Sequence, residues 1–253
     1  MKILLVFFCI LVGMASVRAE PTSLSINVAP EVDVPVSVYG ASKQKLILWL
    51  PSEKGVVNAD GRIAAQLAQR GFEVWIADLF SARFLPVVPS SLAKIPAADV
   101  AQLIHVAAQH HRTVYLLTSG HGAGPTLDGA SAWQKRNPGR GVAGAILLFP
   151  NLYAGSPEPG EAPSYLPIAT QTRLPMVILQ GDLSPWYWHL DEMKITLEQG
   201  GSQVAIKILP GMRDRFYFRD DASPRERKFG SQLATLITDS IKHLPAKKIR
   251  NTP

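Results

Sequence analysis

The sequence predicts an α/β domain: a mostly parallel sheet with helices on both faces and an antiparallel hairpin at its N-terminal end. Three features carry this. Six short apolar runs lie between residues 45 and 209, stretches with apolar residues at helical spacing fall between them, and Gly or Pro marks the hand-overs (Pro51, Gly71, Gly181, Pro210). Unbroken apolar runs are how strands buried on both faces read, and their alternation with helices implies right-handed crossovers.

Taken in order, Leu24–Val28 and Val34–Tyr39 form the hairpin, which extends one sheet edge. Lys45–Leu50 is an apolar run that stops at Pro51. Ile63, Ala64, Leu67 and Ala68 fall at helical spacing within Asn58–Arg70, and Gly71 suits the residue that closes such a helix. Phe72–Ala77 resumes a strand. Pro96–Gln109 reads as a helix, Thr113–Thr118 as a strand, Gly122–Arg136 as a helix, and Gly141–Phe149 and Leu174–Gln180 as strands. A helix over Trp186–Gln199, the strand Gln203–Leu209 and one closing helix over Pro224–His243 complete the pattern. No linker-like composition interrupts it, so residues 20–244 read as one domain and residues 245–253 as a basic flexible tail.

At 253 residues, 47% hydrophobic and 18% charged, the chain is too apolar for disorder and long enough to bury a core. Residues 1–19 read as an export signal: Lys2 precedes the apolar stretch Ile3–Gly13, and Val17 and Ala19 set a cut before Glu20. That stretch is short for a membrane span, so a periplasmic or secreted protein with no stable span after cleavage is expected. Retention as an uncleaved anchor is the alternative. Cleavage removes Cys9, the single cysteine, and takes the net charge from +6 to +4 because Lys2 and Arg18 leave with no acid. The mature chain then has no disulfide, thiol nucleophile or thiolate metal site. His105, His110 and His111 lack zinc-ligand spacing, and no phosphate-binding glycine pattern occurs, so neither metal nor cofactor is expected. Without a basic stripe interleaved with aromatics, nucleic acid is not an expected partner.

In a sheet of this kind ligands bind at the carboxyl ends of the strands, near the point where strand order reverses. That selects Ser52–Gly55, Asp78–Phe80, Ser119–Gly122, Asn151–Tyr153, Asp182–Ser184 and Met212–Arg215. Within them, Val114–Gly124 (VYLLTSGHGAG) resembles the strand, sharp turn and helix around the nucleophile of the α/β-hydrolase fold. Leu46–Leu50 with its following loop, Gly181, and Pro210-Gly211 agree, and the resemblance spans about residues 24–243. It implies a turn of the form G-x-S-x-G in active members. Here the turn reads Thr118-Ser119-Gly120-His121-Gly122, which puts Gly120 in the nucleophile's place. The acid's place falls on Ser184, with Asp182 two residues early, and the histidine's place falls within Met212–Phe216, which holds none. The resemblance therefore implies a degenerate member lacking the Ser-His-acid triad.

The alternative is a hydrolase of ester or other acyl bonds with a displaced set: Ser119, His121, and Asp182 or Asp214. A base must come within hydrogen-bond reach of its nucleophile, and alternate residues on a tight turn point apart, which strains a direct Ser119–His121 pair. On the plainer reading Ser119 lets the strand turn, His121 is a polar residue at a helix start, and Asp182 and Asp214 pair with Arg213 or Arg215. The binding candidates are Ser52, Gly120, Tyr153 and Trp186. The run Trp186–Trp188, with Trp49, Phe80 and Tyr153, is either core or the apolar wall of a pocket. Asn151–Thr172, rich in Pro and Gly, occupies the family's lid position but is short enough to leave a pocket open. Three functions follow: a binding or scaffolding module on a hydrolase fold, a hydrolase with displaced residues, or a platform for an envelope or secreted protein partner. The first takes a small-molecule ligand.

Overall fold

A computed structural model of the chain describes residues 20–138, 142–155 and 161–245. The expected signal, residues 1–19, and all but the first residue of the expected tail lie outside the described residues. Eight strands form a single sheet: β1 (Thr22–Ala29), β2 (Val32–Tyr39), β3 (Lys45–Leu50), β4 (Glu73–Ala77), β5 (Thr113–Ser119), β6 (Val142–Leu148), β7 (Met176–Gly181) and β8 (Val204–Leu209). Their order is β1-β2-β4-β3-β5-β6-β7-β8. The β1–β2 and β2–β4 pairs are antiparallel and every other pair is parallel, so the predicted hairpin sits on one edge of a parallel sheet.

The unbroken apolar runs have a direct cause. Leu46, Leu48 and Leu50 enter the core on one face of the sheet while Ile47 and Trp49 enter the core on the other, and all five are buried. A strand covered on both sides has no position where a polar residue is free of cost. One face is covered by α1 (Asn58–Ala68) and α8 (Leu233–Lys242), through Ile63, Leu67, Leu233 and Ile237. The other is covered by α4 (Ala97–His110), α5 (Ala123–Arg136) and α6 (Leu190–Gln199). Helices α4 and α5 approach closely at Gly129, where a methyl group would come within 2.3 Å of Val100 Cβ.

Several elements depart from the sequence reading. The closing helix is two: α7 (Pro224–Ser231) is polar and begins with a Ser223–Glu226 capping box, and α8 carries the apolar stripe. Gly230 and Ser231, both poor helix formers, end the first. Two single-turn helices, α2 (Leu79–Ala82) and α3 (Pro89–Leu92), lie in a stretch too short to show a period. A single 3₁₀ turn, Tyr187–His189, takes the first turn of the helix expected from Trp186, and another, Gly120–Gly122, precedes α5, which runs as expected.

The strand order positions the site. From β3 the chain moves outward to β4, and from β5 it moves the opposite way to β6, so the loops leaving β3 and β5 part at the reversal point.

Candidate functional site

Two loops meet at that parting. After β3, the turn Ser52–Gly55 is closed by the Gly55 N–H donating to the Ser52 carbonyl at 3.0 Å, and Ser52 Oγ accepts from the Lys54 N–H. Ser52, a binding candidate, therefore spends its hydroxyl inside its own turn, and the structure puts Glu53 at the site instead. The Glu53 side chain is buried and reaches the tip of the turn after β5.

At that tip Gly120 has φ 55°, in the left-handed region. A Cβ there would lie 2.6 Å from Glu53 Oε2, so the carboxylate fills the space a side chain at this position would take. The same oxygen accepts from the His121 backbone N–H at 3.2 Å and lies 3.4 Å from His121 Nδ1. The other carboxylate oxygen pairs with Arg215 Nη1. Arg215 stands in the loop after β8 with φ 49° and ψ 36°, and its Nε donates to Asp214 Oδ2 at 2.7 Å. A non-glycine residue in this backbone region is held by its surroundings, here by two carboxylates of which Glu53 is fully enclosed. His121, Glu53, Arg215 and Asp214 thus form one chain of charge across the loops after β3, β5 and β8. Ser184, buried in the loop after β7, lies beside Asp214.

Burial sets the protonation of this chain. It pushes the Asp214 carboxyl up to about 6, against the pull of Arg219, His121 and the Ser184 hydroxyl. It pushes His121 below the ordinary imidazole value, with Asp214 opposing.

The structure brings together only part of the displaced set read from the sequence. His121 and Asp214 share the network. Ser119 does not: its hydroxyl accepts from Tyr217 Oη at 3.1 Å, both residues are buried, and no hydrogen bond joins it to His121. Asp182 Oδ1 accepts the Gly211 N–H at 2.6 Å and clamps the turn after β8, rather than pairing with an arginine. Arg213 is held by Glu226 and Asp221. Nothing in the sequence pairs Glu53 with Arg215. The one available cue is Gly120 itself, because a packed turn that lacks its side chain leaves a volume another group must fill.

In front of His121 opens a cleft of about 550 Å³. Leu92, Ile95, Pro125 and Leu166 give it apolar walls, and Tyr153 and Trp186 close one side with rings stacked at 4.8 Å and 28°. Asp128 and Asn151 contribute polar groups. Of the binding candidates, Tyr153 and Trp186 line this cleft; Gly120 lies beneath Glu53, and Trp49 and Phe80 belong to the core. Trp188 is 82% exposed. A second groove, of about 680 Å³, runs between α1 and residues 216–231 and carries Arg62, Arg219 and Arg227. Among the described residues no three His, Cys, Asp or Glu side chains are placed to hold a metal ion, and no helix is long and apolar enough to cross a membrane.

No protein-family model and no curated protein matches the chain. Solved structures do. Carboxyl esterase 2 from the fungus Tuber melanosporum aligns with TM-score 0.66 and 12% identity, over 92% of this chain and 89% of that one. An esterase from Pyrobaculum calidifontis gives 0.64 and 12%, over 87% and 86%. Esterase 2 from Thermogutta terrifontis, in a form phosphorylated by paraoxon, gives 0.61 and 15%, over 91% and 97%. At such identities the likeness is one of fold: a mostly parallel eight-stranded sheet of the α/β-hydrolase kind.

Proposed function

We propose that this α/β-hydrolase-fold chain is an exported binding protein without serine-hydrolase activity, its turn after β5 closed by Glu53 rather than armed with a hydroxyl. The observation that carries the reading is the Glu53 carboxylate seated over Gly120 on the His121 N–H. In acyl transfer on this fold, the N–H of the residue following the nucleophile faces the oxygen that becomes negative. A carboxylate already bonded to that N–H occupies the donor, and its charge opposes a second anion at the same place. Ser119, the hydroxyl nearest the tip in sequence, is engaged by Tyr217 in a buried pair. The Glu53–Arg215–Asp214 chain, with the His121 N–H on Glu53, ties three loops together, a bracing role, and the cleft supplies the binding surface. Export rests on residues 1–19 as a signal.

The test is labelling of the purified mature chain with a fluorescent fluorophosphonate, with an active serine esterase as positive control. No labelling above the heat-denatured sample is expected. Labelling that heat abolishes and Ser119→Ala removes would establish an activated serine and overturn the reading.

A further inference from the structure

We infer that the cleft in front of His121 receives a ligand bearing a protonated amine on an apolar or aromatic body. The inference rests on the binding role proposed above and adds the chemistry of what is bound. It starts from the imidazole. His121 Nδ1 is buried and lies 3.4 Å from Glu53 Oε2 without hydrogen-bond geometry, and the charge of that carboxylate favours a ring proton on Nδ1. The remaining nitrogen, Nε2, is then an acceptor on the part of the ring that lines the cleft. Asp128 stands further along α5, on the rim, and has no hydrogen bond or ion pair among the described residues. The Tyr153 hydroxyl is buried without a hydrogen-bond partner, in a side chain 6% exposed. Glu192 adds negative charge near Tyr153 and Tyr165.

No lysine or arginine is among the described residues that line this cleft, whereas the groove beside α1 carries three arginines. An anion in the cleft would meet the Asp128 carboxylate, and the cation acting on that carboxylate, Lys135, stands outside the lining. A wholly apolar ligand would cover these polar groups and leave them unpaired, which costs free energy. An ammonium meets the Asp128 carboxylate and the partly exposed Trp186 ring, while its apolar body lies against Leu92, Ile95 and Leu166. A volume of about 550 Å³ holds a ligand of drug size.

Titration calorimetry of the mature chain with three matched probes, 4-phenylbutylamine, 4-phenylbutanol and 4-phenylbutyrate, tests this. The amine is expected to bind about 10-fold tighter than the alcohol or the acid. Asp128→Asn, a change on the rim, should bring the amine down to the affinity of the alcohol, and Trp186→Ala should weaken both. Equal affinities, or tightest binding by the acid, would overturn the amine assignment while leaving a ligand-binding cleft. An amine preference untouched by both substitutions would place the amine outside this cleft and overturn the assignment too. If none of the three probes binds, the cleft reading falls with it.

Discussion

At Gly120 the backbone and the neighbours act together against a side chain. The φ of 55° is disfavoured for any residue with a Cβ, and the first atom added would stand 2.6 Å from Glu53 Oε2. Gly120→Ser, which places a hydroxyl at the tip of the turn, is therefore expected to destabilise the chain by about 2–4 kcal/mol, from overpacking and the left-handed backbone. It should gain no fluorophosphonate labelling, because Glu53 still holds the His121 N–H. Urea denaturation and labelling of the same preparation check both parts; a stable, labelled variant would mean the carboxylate moves aside readily. The site's occupant was only partly legible beforehand. Gly120, His121 and Asp214 fall at the strand ends where such folds place their chemistry, and their positions follow from counting along the strands. The Glu53–Arg215 contact joins residues 162 positions apart through a left-handed arginine, and no local pattern encodes it.

At the scale of elements, α1 carries an unusual start. Its third residue, Asp60, is 3% exposed and accepts the Val57 N–H at 3.1 Å. Acidic residues suit a helix N-terminus, yet burial outweighs this and pushes the carboxyl up to about 7. The sign follows from linkage. A carboxyl with a raised folded-state pKa contributes stability that is complete below the unfolded value of 3.8 and is lost as pH rises through about 7. Asp60→Asn keeps an acceptor for Val57 and removes the titration. The variant should therefore gain on the parent between pH 4 and 7, by up to about 4 kcal/mol at pH 8, in paired urea titrations. A difference independent of pH would show that Asp60 does not titrate in this range. Elements differ in how well sequence announces them for a related reason. Strands buried on both faces write an unbroken apolar run, which makes β3 to β7 plain, whereas the edge strand β8 is half-buried and carries Lys207. The single turns α2 and α3 are shorter than the period that would reveal them, and the break between α7 and α8 rests on Gly230 and Ser231 within an otherwise helical stretch.

For the whole molecule, one sheet with its reversal between β3 and β5 gathers residues from most of the chain into one region. The single cysteine, Cys9, lies outside the described residues, so the described domain is held by packing, hydrogen bonds and ion pairs with no disulfide. N-terminal sequencing of protein recovered from outside the cytoplasm is expected to begin Glu20-Pro21-Thr22; recovery only in the cytoplasm, or a retained Met1, would remove export from the proposal. The carboxylate lodged at Gly120 also constrains what this lineage can become. Serine at position 120 is costly while Glu53 remains, and losing Glu53 first leaves Arg215 in a disfavoured backbone with Asp214 as its remaining carboxylate partner. Each order of change crosses a less stable intermediate, so the two positions are epistatic in both directions. On the function proposed above, the pairing acts as a ratchet: the cleft can vary while no single substitution at either position opens the turn without cost.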